Sequence, residues 1–154
     1  MTQQLTFESP LRTEKLRPGW KKVIAPFWVS SERMARRHVI DDFEYDGDSI
    51  SRLLGPIYVW LKGRFPKSAC LHDHLYRYAR FAGIEISRRM ADLLYRDAMF
   101  AEAEECLEGL SGIRRATMRA VYRTRIEAHY AGVRAGGWRG WRRYRRAELA
   151  AQET

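Results

Sequence analysis

Cysteine, proline and long apolar runs are all scarce in this sequence, and each scarcity excludes a class of protein. Two cysteines in 154 residues are too few for a disulfide framework or a thiolate metal site. We therefore expect Cys70 and Cys106 to be reduced thiols in a cytoplasm. The longest near-apolar run, Leu53 to Leu61, is far too short to span a bilayer, and residues 1–20 lack the apolar core of a secretion signal. Neither a transmembrane helix nor a secretion signal is predicted.

Acidic residues are also in short supply. Aspartate and glutamate together number 19 against 28 lysines and arginines, which gives a formal net charge of +9. This excess predicts an anionic partner, such as nucleic acid, phospholipid headgroups or an acidic protein surface. With 45% apolar residues and only 5 prolines, the chain is predicted to fold, and its length suits one domain.

The positive charge is concentrated in RAGGWRGWRRYRR, from Arg134 to Arg146. Guanidinium groups bind phosphate, and the interleaved aromatic rings suit either a headgroup region or stacked bases. We therefore expect the segment to bind an anionic membrane surface or nucleic acid. The residues expected to do so are Arg134, Trp138, Arg139, Trp141, Arg142, Arg143, Arg145 and Arg146.

Glycines divide this basic segment from what precedes it. Gly136, Gly137 and Gly140 weaken a helix, so we expect a basic aromatic tail, residues 135–154, joined to a single domain, residues 1–134. The alternative for the basic residues is a solvated helix face followed by a disordered tail.

The remaining pattern predicts an α+β fold. QLTFE, WKKVIAPFWV and RHVIDDFEY are rich in β-branched and aromatic residues, which predicts two or three short strands. Ser49 and Ser51 are candidate caps of a short helix. Three longer helices are predicted over about 68–82, 88–109 and 112–134, with Ser87 as an N-cap. We expect the short N-terminal strands to pack on an antiparallel helical hairpin plus a third helix.

A polar cluster interrupts the predicted helix SACLHDHLYRYARF, residues 68–81. On a helical wheel His72 and Tyr76 border the apolar face, while His74 projects nearly opposite, towards water. The two histidines therefore cannot chelate one ion from a regular helix, in which useful pairs are three or four residues apart. A zinc site is not expected from this pattern.

The next helix, SRRMADLLYRDAMFAEAEE, carries Asp92 at the border of its apolar face. In an antiparallel hairpin, Tyr76 comes opposite Asp92, with His72 about one helical turn away. One carboxylate would then accept from imidazole and phenol, which leaves the other imidazole nitrogen free as a general base. The structural alternative is a satisfied polar group in the core, with Arg88, Asp92 and Arg96 as a surface ion-pair ladder.

Three motifs in order resemble a phage- and prophage-encoded family of unknown function. Its pattern reads G-F-x-T-D-F-A-S-V-P-R, then H-D-x-L-Y, then R-x-x-A-D-x-x-F, and the resemblance covers roughly residues 37–125. In this sequence the motifs are DFEYDGDSISR, HDHLY and RRMADLLY. The matching residues are Phe43, Asp46, Ser49 and Arg52; His72, Asp73, Leu75 and Tyr76; and Arg88, Ala91 and Asp92, with Tyr95 in place of phenylalanine. The resemblance implies the cytoplasm of an infected bacterial host, or a virion, as the location.

A looser similarity implies a mechanism. The H-D-x-x-Y helix with a distal aspartate is similar to the core of phospholipases A2, in which histidine activates water. Carried over by position, His72 is the base, Asp73 a calcium ligand, and Tyr76 and Asp92 hold the histidine, with Arg88 as a supporting residue. Calcium would polarise the ester carbonyl. Asp46 and Ser49 are the candidates for further calcium ligands.

These observations leave three functional hypotheses open. The first is a metal-dependent hydrolase acting on phospholipid or cell envelope. The second is a non-enzymatic virion or assembly protein that binds nucleic acid or protein through its arginines. In the third, the polar motif residues only lock the helical hairpin.

Overall fold

The computed structural model of the chain describes residues 4–46 and 65–152. Within these ranges six short strands come first and four helices follow, with two further strands between the first and second helices, so the predicted α+β class is confirmed. The strands are β1 (Leu5–Phe7), β2 (Thr13–Arg17), β3 (Trp20–Val23), β4 (Phe27–Ser31), β5 (Arg36–Ile40), β6 (Glu44–Tyr45), β7 (Arg80–Phe81) and β8 (Ile84–Glu85). The helices are α1 (Pro66–Tyr78), α2 (Arg88–Cys106), α3 (Gly112–Gly136) and α4 (Trp138–Gln152).

The strands form three small antiparallel sheets, in the orders β1-β4-β5, β2-β3-β6 and β7-β8. In β4, Phe27 and Val29 are fully buried, while Trp28 between them is 36% exposed. This alternation is what a sheet with one solvated face requires. The buried face of β1-β4-β5 packs towards the helices, and β1 contacts α2.

Helix α1 receives its N-terminal cap from a distant residue. Glu102 of α2 accepts hydrogen bonds from the backbone N–H groups of Lys67 (3.1 Å) and Ser68 (3.0 Å), and from the Ser68 hydroxyl (2.8 Å). A carboxylate suits this position because the first N–H groups of a helix lack partners within it and carry partial positive charge. Burial nevertheless raises the pKa of Glu102. This cap fixes α1 against α2.

The two helices are joined by the β7-β8 hairpin. Helix α1 ends where Ala79 adopts a left-handed conformation, with φ 48° and ψ 32°. Helix α2 begins at the predicted N-cap, where the Ser87 hydroxyl accepts a hydrogen bond from the backbone N–H of Met90 at 3.2 Å. The main core lies between this α1–α2 hairpin and the sheets, with Leu71, Leu75 and Leu94 fully buried.

The last two helices complete the fold. Helix α3 packs along α2, and α4 folds back onto α1. The glycines predicted to weaken a helix over the basic segment mark a break between two helices: α3 continues to Gly136, Gly137 is its C-cap, and α4 begins at Trp138. The helices form because α4 has a packing surface on α1, and tertiary packing outweighs the low helix propensity of glycine.

Several local predictions also need correction. WKKVIAPFWV forms two strands, β3 and β4, because Pro26 separates them. The β2 strand and the β7-β8 hairpin were not predicted. His74 does not point into water: its ring is partly buried and lies 4.7–4.9 Å, centroid to centroid, from the rings of His38, Phe43 and Tyr78. The short helix predicted around Ser49 and Ser51 lies outside the described residues.

Candidate functional site

The predicted meeting of the helical hairpin around Asp92 is present in the structure. Asp92 of α2 is completely buried. Its Oδ1 accepts a hydrogen bond from the Tyr76 hydroxyl at 2.5 Å and lies 3.4 Å from Nε2 of His72, both on α1. His72 and Tyr76 are one turn apart on the same face of α1, so both can reach the one carboxylate of Asp92 on α2.

A third partner reaches Asp92 from α3. Arg134 Nη1 donates to the other carboxylate oxygen, Oδ2, at 2.7 Å. Arg88 lies 4.0 Å from the same oxygen and donates to the backbone carbonyl of Arg134 at 3.2 Å. We refer to His72, Tyr76, Arg88, Asp92 and Arg134 as the Asp92 cluster.

The partners of Asp92 keep it ionised despite its burial. Burial by itself raises the pKa of a carboxyl group, but the hydrogen bonds from His72, Tyr76 and Arg134 outweigh it, so the pKa of Asp92 lies below its ordinary value. Tyr76, which donates to Asp92, shifts in the opposite direction: burial, together with the nearby carboxylate, raises the pKa of its hydroxyl. Asp92 is therefore an acceptor at neutral pH, and Tyr76 is a donor.

The tautomer of His72 follows from this arrangement. Because Nε2 faces an ionised carboxylate, it carries the proton, which leaves the lone pair on Nδ1. Among the described residues Nδ1 has no hydrogen-bond partner, although it is buried. The imidazole lies between the rings of Tyr76 and Tyr95, with centroid distances of 4.1 and 4.4 Å, and its side chain is 3% exposed. The ring is thus held firmly, with one basic nitrogen unused.

The structure excludes the surface ion-pair ladder as the explanation of these residues. Asp92 is buried, and the guanidinium of Arg96 pairs with Glu127 of α3 rather than with Asp92. Of Arg88 and Arg96, only Arg88 lies within 4.0 Å of the Asp92 carboxylate.

Helix α4 covers the outer side of the cluster. The indole of Trp141 packs edge-on against the Tyr76 ring at 5.3 Å between centroids. Arg145 donates to the backbone carbonyls of Tyr76 (3.2 Å) and Arg77 at the C-terminal end of α1, where carbonyl groups lack partners within the helix. Gly137 lies at the junction of α3 and α4, where a Cβ atom would overlap the Tyr76 hydroxyl. The close approach of α4 therefore depends on this glycine.

The residues predicted to bind calcium do not form a cage in the described part of the chain. Asp73 is partly buried on α1, and Asp46 is exposed just after β6. Within residues 4–46 and 65–152, no three histidine, cysteine, aspartate or glutamate side chains are grouped so that they could hold a metal ion. Ser49 lies outside the described residues. The described donor set does not fit calcium.

Outside the Asp92 cluster, His38 of β5 and His74 of α1 form a pair. The Ala82 backbone N–H donates to His38 Nδ1 at 2.9 Å, so Nε2 carries the proton of His38 and points at His74 Nδ1, 3.2 Å away. Burial lowers the pKa of His38 to about 4. Burial, with the nearby His38 and Arg77, lowers the pKa of His74 to about 3. Both imidazoles are neutral at pH 7, and this pair was not anticipated from the sequence.

The eight residues of the basic segment divide between two surfaces. Arg134, Trp141 and Arg145 make the internal contacts described above. Trp138, Arg139, Arg142, Arg143 and Arg146 are exposed. Sequence reasoning grouped all eight as one binding surface, because spacing along a chain does not show where a helix docks.

Other polar contacts tie the elements around the site together. Arg33, in the turn between β4 and β5, donates to both oxygens of the buried Asp97 on α2, at 2.7 and 3.2 Å. Tyr95, which stacks on His72, has its hydroxyl 3.4 Å from Nδ1 of His129 on α3. None of these partners was predicted, because they are separated by more than 30 residues and no local pattern links them.

Within the described ranges, no helix is both long enough and apolar enough to cross a bilayer. A search of curated proteins and a search of solved structures returned no match. A family model described as "Protein of unknown function (DUF1353)" matches residues 21–120, which include His72, Tyr76 and Asp92 but neither Arg134 nor α4. The match covers well over half of the chain, so the protein belongs to this family of unknown function, DUF1353.

Proposed function

We propose that the protein is a hydrolase in which His72 acts as the general base. The observation that carries this proposal is the pairing of His72 Nε2 with the ionised Asp92, while Nδ1 has no partner among the described residues. This is the arrangement in which a carboxylate orients an imidazole and stabilises the imidazolium that forms.

In the proposed reaction His72 carries out both proton transfers. Nδ1 of His72 would accept a proton from a water molecule as the water oxygen attacks a carbonyl carbon. The resulting imidazolium is stabilised by Asp92, whose negative charge is held in place by Tyr76 and Arg134. When the tetrahedral intermediate collapses, Nδ1 returns the proton to the leaving oxygen. The products are an acid and an alcohol, and the base is regenerated.

The burial of His72 sets a condition on this chemistry. With 3% of its side chain exposed, His72 meets substrate only after part of the chain moves. Opening of this kind, followed by closure over the substrate, removes water from the reacting groups and is a common step in enzymes.

The substrate class follows from the similarity of HDHLY and Asp92 to the core of phospholipases A2. A phospholipid ester, or another ester of the cell envelope, is the substrate that this similarity favours. The motif resemblance to phage- and prophage-encoded proteins adds a source: an infected bacterial host, with the protein in its cytoplasm or in the virion. In that setting an enzyme acting on phospholipid or envelope would serve entry or release.

The test compares two histidines of the same helix, the buried His72 and the partly buried His74. His72→Gln and His74→Gln each remove one imidazole from α1, but only His72 contacts Asp92. We expect the wild-type protein to release fatty acid from anionic phospholipid vesicles, His72→Gln to lose this activity by at least about 100-fold, and His74→Gln to retain it. The assay is run with added calcium and with a chelator, because the similarity to phospholipases A2 implies calcium whereas the described residues form no site for it.

Two results would count against the hydrolase. One is equal loss of activity in the two variants, which would assign the effect to the stability of α1. The other is the absence of turnover by the wild-type protein on phospholipid and simpler ester substrates under both metal conditions. If that absence accompanies a loss of about 1 to 3 kcal/mol of stability in His72→Gln, the cluster is a structural lock of the hairpin.

A further inference from the structure

The two faces of α4 differ sharply in how their charges are compensated. On the inner face, Arg145 pairs with Glu148 and with the carbonyl groups at the end of α1. On the outer face stand Arg139, Arg142, Arg143 and Arg146, all exposed, which we call the outer arginine face. Within the described part of the chain, none of these four guanidinium groups has a carboxylate within 4.0 Å.

Some arginines elsewhere on the described surface have a carboxylate partner, and exposed ones that lack a partner, such as Arg36 of β5, Arg80 of β7 and Arg89 of α2, lie on separate elements. Arg115 and Arg119 of α3 share Glu104 of α2, at 3.2 and 2.9 Å. Arg37 of β5 pairs with Glu8, and Arg96 pairs with Glu127. The outer arginine face instead contacts aromatic rings: Arg139 and Arg142 lie over the Trp138 indole, 5.3 and 5.1 Å from its centroid. These contacts hold guanidinium groups in place without neutralising them.

The spacing of the four arginines places them along one line. Residues 139, 142, 143 and 146 are three and four apart, so their side chains form a stripe about 10 Å long on a helix with a rise of about 1.5 Å per residue. Duplex DNA carries about one negative charge per 1.7 Å of its axis, so a stripe of this length faces several phosphates at once. The geometry suits a partner with closely spaced, repeated anionic groups.

The apolar residues of α4 argue against a membrane as that partner. A helix that lies in a bilayer interface buries a continuous apolar face in the lipid. In α4 the aromatic residues Trp141 and Tyr144 are partly buried against the core. On the exposed side only Trp138 and Leu149 are large and apolar, and they stand eleven residues apart. The exposed surface is therefore cationic but has little to insert into lipid.

We infer that the outer arginine face binds the phosphate backbone of nucleic acid. The contacts are electrostatic and independent of base sequence, with the Trp138 indole beside them as a surface on which an unpaired base can stack. This inference goes beyond the proposed hydrolase and does not depend on it, because none of the four arginines belongs to the Asp92 cluster.

The experiment uses two variants of the full chain that change the net charge equally. Arg142→Gln/Arg146→Gln removes two uncompensated guanidinium groups, and Arg115→Gln/Arg119→Gln removes the two that pair with Glu104. Each variant lowers the formal net charge from +9 to +7. Affinity for a short duplex DNA is measured by fluorescence anisotropy over a range of salt concentrations, and binding to vesicles of phosphatidylglycerol is measured in parallel.

The expected result is a difference in salt dependence between the two variants. Each phosphate contact contributes about 0.9 to the slope of log affinity against log salt, so the α4 variant should lose about 1.8 from the wild-type slope and the α3 variant should lose little. Equal changes in the two variants would overturn the inference, because net charge alone would then explain binding. Vesicle binding without DNA binding, or binding to neither probe, would overturn it as well.

Discussion

The Asp92 cluster and the outer arginine face are both rich in charged side chains, yet they are built in opposite ways. In the cluster, a buried carboxylate is contacted by three donors from two other helices, so its charge is compensated inside the protein. On the outer face of α4, four exposed guanidinium groups have no carboxylate partner among the described residues. The first arrangement holds helices together, and the second leaves its attraction for anions available to a partner.

The comparison also shows that adjacent residues of one motif can serve opposite purposes. Arg145 and Arg146 are neighbours in the chain, but Arg145 caps the end of α1 while Arg146 is exposed to solvent. A helix turns about 100° per residue, so a run of arginines is necessarily divided between a packed side and a solvated side once the helix docks.

The largest effect is expected from removing the central carboxylate. Asp92→Ala leaves the buried His72 and Tyr76 without their acceptor and Arg134 without its counter-ion. We expect the free energy of unfolding to fall by about 3 kcal/mol or more, measured by guanidinium denaturation followed by circular dichroism.

The control for this prediction comes from the other side of the comparison. Arg142→Ala removes a charge that has no carboxylate partner among the described residues, so the unfolding free energy should stay within about 0.5 kcal/mol of the wild-type value. Similar losses in the two variants would contradict the contrast between a compensated interior and an uncompensated surface.

A change of pH is expected to have a smaller effect on the unfolding free energy. It acts on buried histidines and leaves the outer arginine face unchanged, because arginine does not titrate between pH 7 and pH 5.5. The folded state lowers the pKa of His38 to about 4 and that of His74 to about 3, from 6.5. A lowered pKa means that the unfolded chain binds protons before the folded chain does. Stability is therefore complete above pH 6.5 and is lost as the pH falls from 6.5 towards 4.

The size of the pH effect follows from linkage. Between pH 7 and pH 5.5 each histidine should contribute a loss of about 1 kcal/mol in unfolding free energy. His38→Gln removes one titrating group, so its stability should fall less steeply over the same interval. Parallel curves for the variant and the wild-type protein would show that the pair does not govern the acid sensitivity.

The smallest effect on stability is expected at Gly137, which lies between α3 and α4. Gly137 has φ −66°, so alanine suits its backbone, but the added Cβ would overlap the Tyr76 hydroxyl and lie 2.7 Å from the Val133 carbonyl oxygen. We expect Gly137→Ala to lower the melting temperature, at a cost of about 1 kcal/mol, because Tyr76 or α4 must shift.

Its neighbour provides a matched control. A Cβ at Gly136 meets no atom within 4 Å, so Gly136→Ala should leave stability unchanged or raise it by up to about 1 kcal/mol, as alanine favours a helix. If both variants are equally stable, Tyr76 and α4 are packed less tightly than the structure shows.

Local patterns in the sequence were sufficient for much of the helical hairpin. The one-turn spacing of His72 and Tyr76, the Ser87 cap and the apolar faces of the two helices together predicted the contact with Asp92. They could do so because residues four apart share a helix face and a short hairpin aligns two such faces. The strand β2 could not be predicted in the same way, because TEKLR is mostly exposed and becomes a strand only by pairing with β3.

By itself, the sequence determined the α+β class, the main helices, the excess positive charge and the pairing of His72 and Tyr76 with Asp92, since these depend on composition and on short-range periodicity. Only the tertiary structure decided that Arg134 completes the Asp92 cluster, that His38 meets His74, and that α4 turns Arg145 inward while four other arginines stay exposed. Those contacts join residues from 36 to 69 positions apart. Which distant side chains meet is set by how the helices and sheets pack, because packing must bury apolar faces and pair buried polar groups at the same time.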